Sequence, residues 1–155
     1  MTMRKVMAGA AVWLIAAFVG SSLFMYVSPS LEAHFAPVLS NQKAEVTLRE
    51  PGRVCWRWTW HKERYAQPTV VAWSLVVDGT AVEYPAVVAR RRDGEVIKDI
   101  RTASLGPGSN ELCAKIPAEL DGLRDLVIRG QVNYAVPHGF WTIWQDLPVI
   151  PVPQI

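Results

Sequence analysis

The side chains that most often take part in catalysis or metal binding are few and widely spaced in this 155-residue sequence. Its three histidines, His34, His61 and His138, show neither the His-x-His nor the His-x-x-x-His spacing of many metal sites. The sequence contains no Gly-x-Ser-x-Gly elbow, His-Glu-x-x-His, phosphate-binding glycine loop or Cys-x-x-Cys motif. We therefore expect a protein that is not an enzyme and that carries no metal or cofactor.

Three tryptophans, Trp56, Trp58 and Trp60, alternate along one short segment. In a β-strand, residues at i, i+2 and i+4 lie on one face at intervals of about 6.8 Å, so the three indoles form a row. An exposed row could stack on sugar rings, which makes a carbohydrate-binding module for cell-wall glycan the alternative function. We favour a place in the core opposite Trp73, because the other face of the strand is polar.

Trp141 and Trp144 belong to a second aromatic group near the C terminus, with Tyr134 and Phe140. Because the two tryptophans are three residues apart, they would face opposite sides of a regular strand, and we expect one to be exposed. An exposed tryptophan beside a loop is a typical hot spot for partner binding. The alternative is that both pack at the rim against the C-terminal tail.

A run of three arginines, Arg90, Arg91 and Arg92, precedes the turn signal Asp93-Gly94. These side chains are candidate contacts for lipid headgroups or an acidic partner. The simpler interpretation is that they decorate an exposed hairpin, where charge also deters edge-to-edge pairing of strands.

The N-terminal segment predicts the topology of the chain. Residues 6–27 carry no charge, and as a helix they span about 33 Å, enough to cross a bilayer. Arg4 and Lys5 precede this run, and the next basic residue is Lys43, so the positive-inside rule places the N terminus in the cytoplasm. We predict a cytoplasmic tail over residues 1–5, a transmembrane signal-anchor helix over 6–28, a tether over 29–45 and a periplasmic or extracellular domain over 46–155.

A cleaved signal peptide is the competing interpretation of the same segment. Gly20, Ser21 and Ser22 offer a weak cleavage site, but apolar character resumes at Leu23. The whole run is therefore longer than the roughly 7–15 residues of a usual signal-peptide core. Both interpretations export the domain.

The predicted export bears on the redox state of Cys55 and Cys113, which are the 2 cysteines of the chain. In an oxidising compartment they are expected to form a disulfide, whereas two free thiols would be favoured if the topology were inverted. By alternation Cys55 shares a face with Arg57, and Cys113 shares one with Lys115. We therefore predict a cross-strand bridge on the solvent face of one sheet, joining neighbouring antiparallel strands.

Beyond residue 45, short β-prone runs alternate with turn signals such as Asp78-Gly79 and Asp93-Gly94. This pattern predicts an all-β domain of roughly seven to nine strands, an immunoglobulin-like antiparallel β-sandwich preceded by the single transmembrane helix.

Residues 112–134 carry the resemblance to immunoglobulin-like domains. Leu112, Ala114 and Ile116, a Leu-Asp-Gly-Leu turn at 120–123 and a strand over 127–134 resemble the passage from strand E to strand F. Trp73 resembles the core tryptophan of strand C. Antibody-type domains have a tyrosine two positions before the second cysteine. This chain has Glu111 there, so the disulfide is not expected to be the usual one between sheets.

Charge and motifs together rank the functions. The net charge of +2 comes from Arg4 and Lys5, so the exported part is neutral and offers no electrostatic case for binding nucleic acid. The first hypothesis is a structural or protein-interaction module of the cell envelope, such as an accessory subunit of a membrane complex. A metallochaperone ranks lower: copper-insertion factors for cytochrome oxidase share the layout, but they carry paired cysteines, and Cys55 stands alone.

Overall fold

The computed structural model describes residues 3–77, 79–80, 82–96 and 104–154. Parts of both predicted hairpins lie outside these ranges, namely Asp78 and Ala81 in the first and residues 97–101 in the second. The first two residues of the predicted cytoplasmic tail lie outside them as well.

The chain opens with one long helix, α1 (Met3–Phe35). It is long and apolar enough to cross a membrane by length and composition, and it is a candidate membrane anchor or signal sequence. From Val12 to Val27 its side chains are exposed, as expected of a helix that packs little of its apolar surface against the β-domain.

Residues 29–45 do not form the predicted tether. The helix passes through Pro29 and ends at Phe35, and the first strand begins at Leu39. The prediction was wrong because it took proline and small residues as signs of irregular structure, whereas Ala33 packs against the core and Val38 lies fully inside it. Only residues 36–38 connect the helix to the sheet.

The rest of the described chain is mostly β-structure in two antiparallel sheets, which confirms the all-β prediction. The strands are β1 (Leu39–Glu50), β2 (Arg53–Lys62), β3 (Gln67–Val77), β4 (Glu83–Pro85), β5 (Val88–Arg90), β6 (Gly106–Lys115), β7 (Leu126–Ala135), β8 (Thr142–Asp146) and β9 (Ile150–Pro151). The first sheet has the order β1-β2-β6-β5. The second has the order β4-β3-β7-β8, and β9 also pairs with β7.

The tryptophan row of β2 faces the core between the sheets. Trp56, Trp58 and Trp60 are 0%, 3% and 8% exposed, and the ring of Trp56 meets that of Trp73 across the sheets at a centroid distance of 5.6 Å. These rings cannot reach a sugar, so the carbohydrate-binding alternative through this row is wrong. The tryptophan face of β2 turns to the core because side chains alternate along the strand and the opposite face carries Arg57 and Thr59.

A disulfide joins Cys55 on β2 to Cys113 on β6, which are directly opposite each other in the strand register. Neither cysteine belongs to the core cluster between the sheets. The prediction that the bridge lies on a solvent-exposed face is nevertheless wrong, because Cys55 is 0% and Cys113 7% exposed. Flanking strands on both sides and the Arg53 guanidinium, 3.4 Å from the Cys113 sulfur, cover the bridge.

Candidate functional site

Two features of the described residues stand out as candidate functional surfaces. The first is the junction cluster, Glu32, Arg64, His138 and Trp141, where the end of α1 meets the β-domain. The second is the outer face of the second sheet, which carries Trp144.

Glu32 is the centre of the junction cluster. Its carboxylate accepts a hydrogen bond from Arg64, in the loop after β2, through one oxygen. The other oxygen accepts from the Trp141 indole N–H at 2.6 Å and lies 3.0 Å from Nε2 of His138. Three side chains from two loops therefore converge on one acid of the helix, and charge-assisted bonds of this kind are the stronger ones.

The hydrogen bonds around His138 also define which of its ring nitrogens carries the proton. Its Nδ1 accepts a hydrogen bond from the Phe140 backbone N–H at 3.1 Å. A neutral imidazole has one donor and one acceptor nitrogen, so Nε2 carries the proton and donates to Glu32. The histidine thus ties the tip of the β7–β8 loop to the helix.

Arg64 depends on Glu32 for its charge balance. Its side chain is largely buried, and its Nε and Nη2 atoms have no hydrogen-bond partner among the described residues. The bond to Glu32 is the ion pair that the structure shows for this guanidinium. Removing the acid would leave a poorly solvated positive charge at the junction.

Gln145 of β8 holds the chain just after the helix. Its side-chain oxygen accepts hydrogen bonds from the backbone N–H groups of Val38 and Leu39, both at 3.1 Å, and its amide donates to the Leu39 carbonyl. These bonds satisfy backbone groups at the start of β1 and seat it beside β8. The helix and the sandwich are therefore joined by a short connection whose end is held by hydrogen bonds to β8.

The outer face of the second sheet carries the exposed tryptophan. Trp144 is 50% exposed and lies in register with Asn133 of β7, which in turn lies opposite Val70 of β3. Asn133 is buried and bonds to the hydroxyls of Thr69 and Thr142 at 2.6 and 3.1 Å. Trp144 and Val70 are thus exposed apolar side chains on either side of a rigid polar row.

A groove of about 700 Å³ lies on the same sheet. Among its lining residues are Ser74, Glu83, Arg129, Gln131 and Asp146. Gln131 donates to the Asp146 carboxylate at 2.8 Å, and both residues are exposed. The tryptophan and the polar groove together give this face the mixed character of a protein-binding surface.

The three arginines lie elsewhere, at the end of β5 and in the turn after it. Arg90 pairs with Asp93 and Glu95, both at 3.3 Å, and Arg91 lies 3.6 Å from Glu111. The structure therefore balances much of this charge locally and places the arginines on the first sheet, away from Trp141 and Trp144.

An exposed ion pair borders these arginines. The guanidinium of Arg57 bonds the Glu111 carboxylate at 2.9 Å, which lowers the pKa of that acid and raises the pKa of the arginine. No group of three or more His, Cys, Asp or Glu suited to a metal ion is found in the described part of the chain.

Sequence reasoning missed Glu32, Arg64 and Gln145. A signal for the first was available, because Glu32 is the one charged residue between Lys5 and Lys43. A lone acid beyond an apolar run needs a partner or water, and the long-range contacts that supply its partners are not visible in sequence.

Comparisons with known proteins assign no family to the chain. No family model matches it, and no curated protein matches it. Among solved structures it is similar to the GAE domain of GGA2p from Saccharomyces cerevisiae, with 15% identity over 76% of this chain and 97% of that one, at a TM-score of 0.34. At this identity and TM-score, the similarity assigns neither fold nor function to the chain.

Proposed function

We propose that this chain is a single-pass membrane protein whose immunoglobulin-like domain acts outside the cytoplasm as a structural or protein-interaction module. An accessory subunit of a membrane complex fits this description. The protein binds its partner and catalyses no reaction of its own. The observation that carries the proposal is the exposed Trp144 on an open sheet face of a domain that is bonded directly to its anchor.

The uncharged run of residues 6–27 and the cations that precede it support anchoring with the N terminus in the cytoplasm. In this arrangement residues 6–28 cross the membrane uncleaved. The β-domain follows in the periplasm or outside the cell, where its disulfide persists.

Strand order supports the immunoglobulin-like assignment. The order β1-β2-β6-β5 corresponds to A-B-E-D, and β4-β3-β7-β8 corresponds to C′-C-F-G. In these terms the disulfide joins strands B and E of one sheet instead of strands B and F of opposite sheets. The core tryptophan Trp73 then lies on strand C.

Site-specific photocrosslinking in intact native membranes tests the proposal. A photoreactive p-benzoylphenylalanine in place of Trp144 should give one defined protein adduct at high yield. The matched control carries the same group in place of Val87, which is also exposed but lies in the connection between β4 and β5. Adducts to the same abundant membrane proteins from both positions would contradict a specific role for this face.

A further inference from the structure

We propose that the β7–β8 loop, residues 136–141, inserts Phe140 into the interfacial layer of the bilayer that α1 crosses, giving the domain a second lipid contact. The inference rests on the proposed membrane anchoring. It concerns the loop that precedes β8 and contacts the helix, and not the sheet face that carries Trp144.

The position of the loop along the helix is given by Trp141. Its ring packs edge-on against Phe24 at a centroid distance of 5.8 Å, and its N–H bonds Glu32. Phe24 lies three residues inside the end of the uncharged run at Val27, about 4.5 Å along the axis, and Glu32 lies about 7.5 Å beyond that end. Trp141 therefore spans the level at which the hydrocarbon layer should end.

Phe140 is the outermost aromatic side chain of this loop. It is 70% exposed, although it lies beside His138 and Trp141 with centroid distances of 5.6 and 6.2 Å. Tyr26, which lies on the helix between Phe24 and the end of the uncharged run at Val27, is also exposed. Aromatic side chains accumulate at this depth of a membrane, because it accommodates an apolar ring next to polar groups.

The loop presents Phe140 in a fixed geometry. Gly139 adopts a positive φ of 71°, which a glycine tolerates without strain, and its N–H donates to the Val136 carbonyl at 3.0 Å. The N–H of Phe140 donates to His138, which is itself bonded to Glu32. Because the tip is already ordered, insertion of the ring requires little further ordering of the backbone.

The charges near the loop are compatible with an interfacial position. Glu32 pairs with the Arg64 guanidinium, so the charge of its carboxylate is balanced within the junction cluster and does not repel anionic headgroups. The exposed Phe140 ring lies beside Trp141, and Trp141 in turn contacts Phe24 of the anchor. An exposed apolar ring this near the anchor favours lipid over a protein partner.

The test uses the full-length chain in nanodiscs of phosphatidylcholine with phosphatidylglycerol. Photoreactive p-benzoylphenylalanine replaces, in separate samples, Phe140, Phe18 within the anchor, or Leu123 in the connection between β6 and β7. All three side chains are exposed, so the substitutions should preserve the fold. Resistance of the buried disulfide to a mild reductant in each sample will verify this. Adducts are identified by mass spectrometry.

We expect lipid adducts from positions 18 and 140 and none from position 123. Adducts from position 18 but not from 140 would overturn the loop inference while leaving the anchor intact. Absence of lipid adducts at position 18 would overturn the anchoring itself and the inference that rests on it. Equal lipid labelling at positions 140 and 123 would also overturn the loop inference. So would a protein adduct without a lipid adduct at position 140 when the same variant is irradiated in native membranes.

Discussion

At the scale of single residues, the side chain with the most consequences is Glu32. It is one acid at the end of an apolar helix, yet it accepts hydrogen bonds from Arg64 and Trp141 and pairs with His138. Hydrogen bonds to charged groups typically contribute about 1.5–3 kcal/mol, more than neutral ones. The junction between helix and domain should therefore depend strongly on this one carboxylate.

A double-mutant cycle of Glu32→Gln and Arg64→Met should show a favourable coupling of about 1–3 kcal/mol, because the pair is largely buried. The measurement is urea unfolding of the full chain in detergent. The Arg57–Glu111 pair is the matched control, and its coupling should be close to zero because both side chains are exposed. Equal coupling in the two cycles would contradict the importance assigned to Glu32.

The disulfide should resist reduction in the native state, because both cysteines are buried. We expect a mild dithiol reductant to leave Cys55 and Cys113 joined in buffer and to reduce them once urea unfolds the domain. Alkylation followed by mass spectrometry distinguishes the two states. Ready reduction of the folded protein would show that the cover provided by Arg53 opens easily.

Loss of the bridge should be costly, since it encloses a loop with a sequence separation of 58 residues. In the chain-entropy model the bridge contributes about 4 kcal/mol, and engineered cases often deliver less. Cys55→Ser and Cys113→Ser should each lower the thermal midpoint substantially, and the double variant should resemble either single one. A double variant much less stable than both would indicate a role for the thiols beyond the bridge.

At the scale of elements, each sheet contains one tryptophan paired across strands with a glycine. Trp60 faces Gly108, and Trp73 faces Gly130. A Cβ at either glycine would lie 2.5 Å from the nearest indole atom. The absence of a side chain at these positions is what lets the large rings lie flat over the neighbouring strand.

We therefore expect Gly130→Ala to destabilise the chain by about 1–3 kcal/mol, because the Trp73 ring must move within a packed core. Urea unfolding of the full chain measures this cost. Gly20→Ala in the helix is the control, since nothing lies within 4 Å of its added Cβ. If both substitutions had the same small effect, the core around Trp73 would be looser than the geometry implies.

The end of the domain away from α1 is closed by Asp121. Its carboxylate bonds the Arg49 side chain and the Gly52 backbone N–H, and these two bonds, the arginine first, lower the pKa of Asp121. A carboxyl whose pKa is lower in the folded state contributes stability above its unfolded pKa and loses it as the pH falls through the folded value.

The unfolding free energy of the wild type should consequently exceed that of Asp121→Asn at about pH 6, and the gap should shrink towards about pH 3. Urea titrations at several pH values give the two curves. Asp125→Asn is the control, because it removes a carboxylate from the same turn region that bonds neither Arg49 nor Gly52. A gap that stays constant with pH would mean that the interactions of Asp121 do not depend on its charge.

The sequence predicts these elements unevenly, for identifiable reasons. Alternation in residues 53–62 correctly placed the tryptophans inside and the cysteines on the other face, because a strand has only two faces. It could not predict that Arg53 covers the bridge, nor that the helix continues through Pro29 to Phe35. Both depend on contacts between residues far apart in the chain, and local patterns do not encode such contacts.

At the scale of the whole molecule, the connection between helix and sandwich controls the orientation of the domain. Gln145→Ala would remove hydrogen bonds from the N–H groups of Val38 and Leu39. A loss of about 1.4 kcal/mol corresponds to roughly tenfold faster amide hydrogen exchange at these two positions. Gln131→Ala, which breaks an exposed bond to Asp146, is the control and should leave the exchange of both amides unchanged.

The three-residue connection 36–38 also changes how a partner in the same membrane would meet this protein. A flexible tether of 17 residues would have a root-mean-square end-to-end distance of roughly 20–25 Å. The domain would then sample that volume, and the effective concentration of its binding face would be lower. If α1 crosses the membrane as proposed, Trp144 without that freedom stays at one height above the bilayer. Its effective concentration is then high for a membrane neighbour whose contact site lies at that height. The effective concentration of Trp144 is close to zero for a neighbour whose contact site lies at any other height.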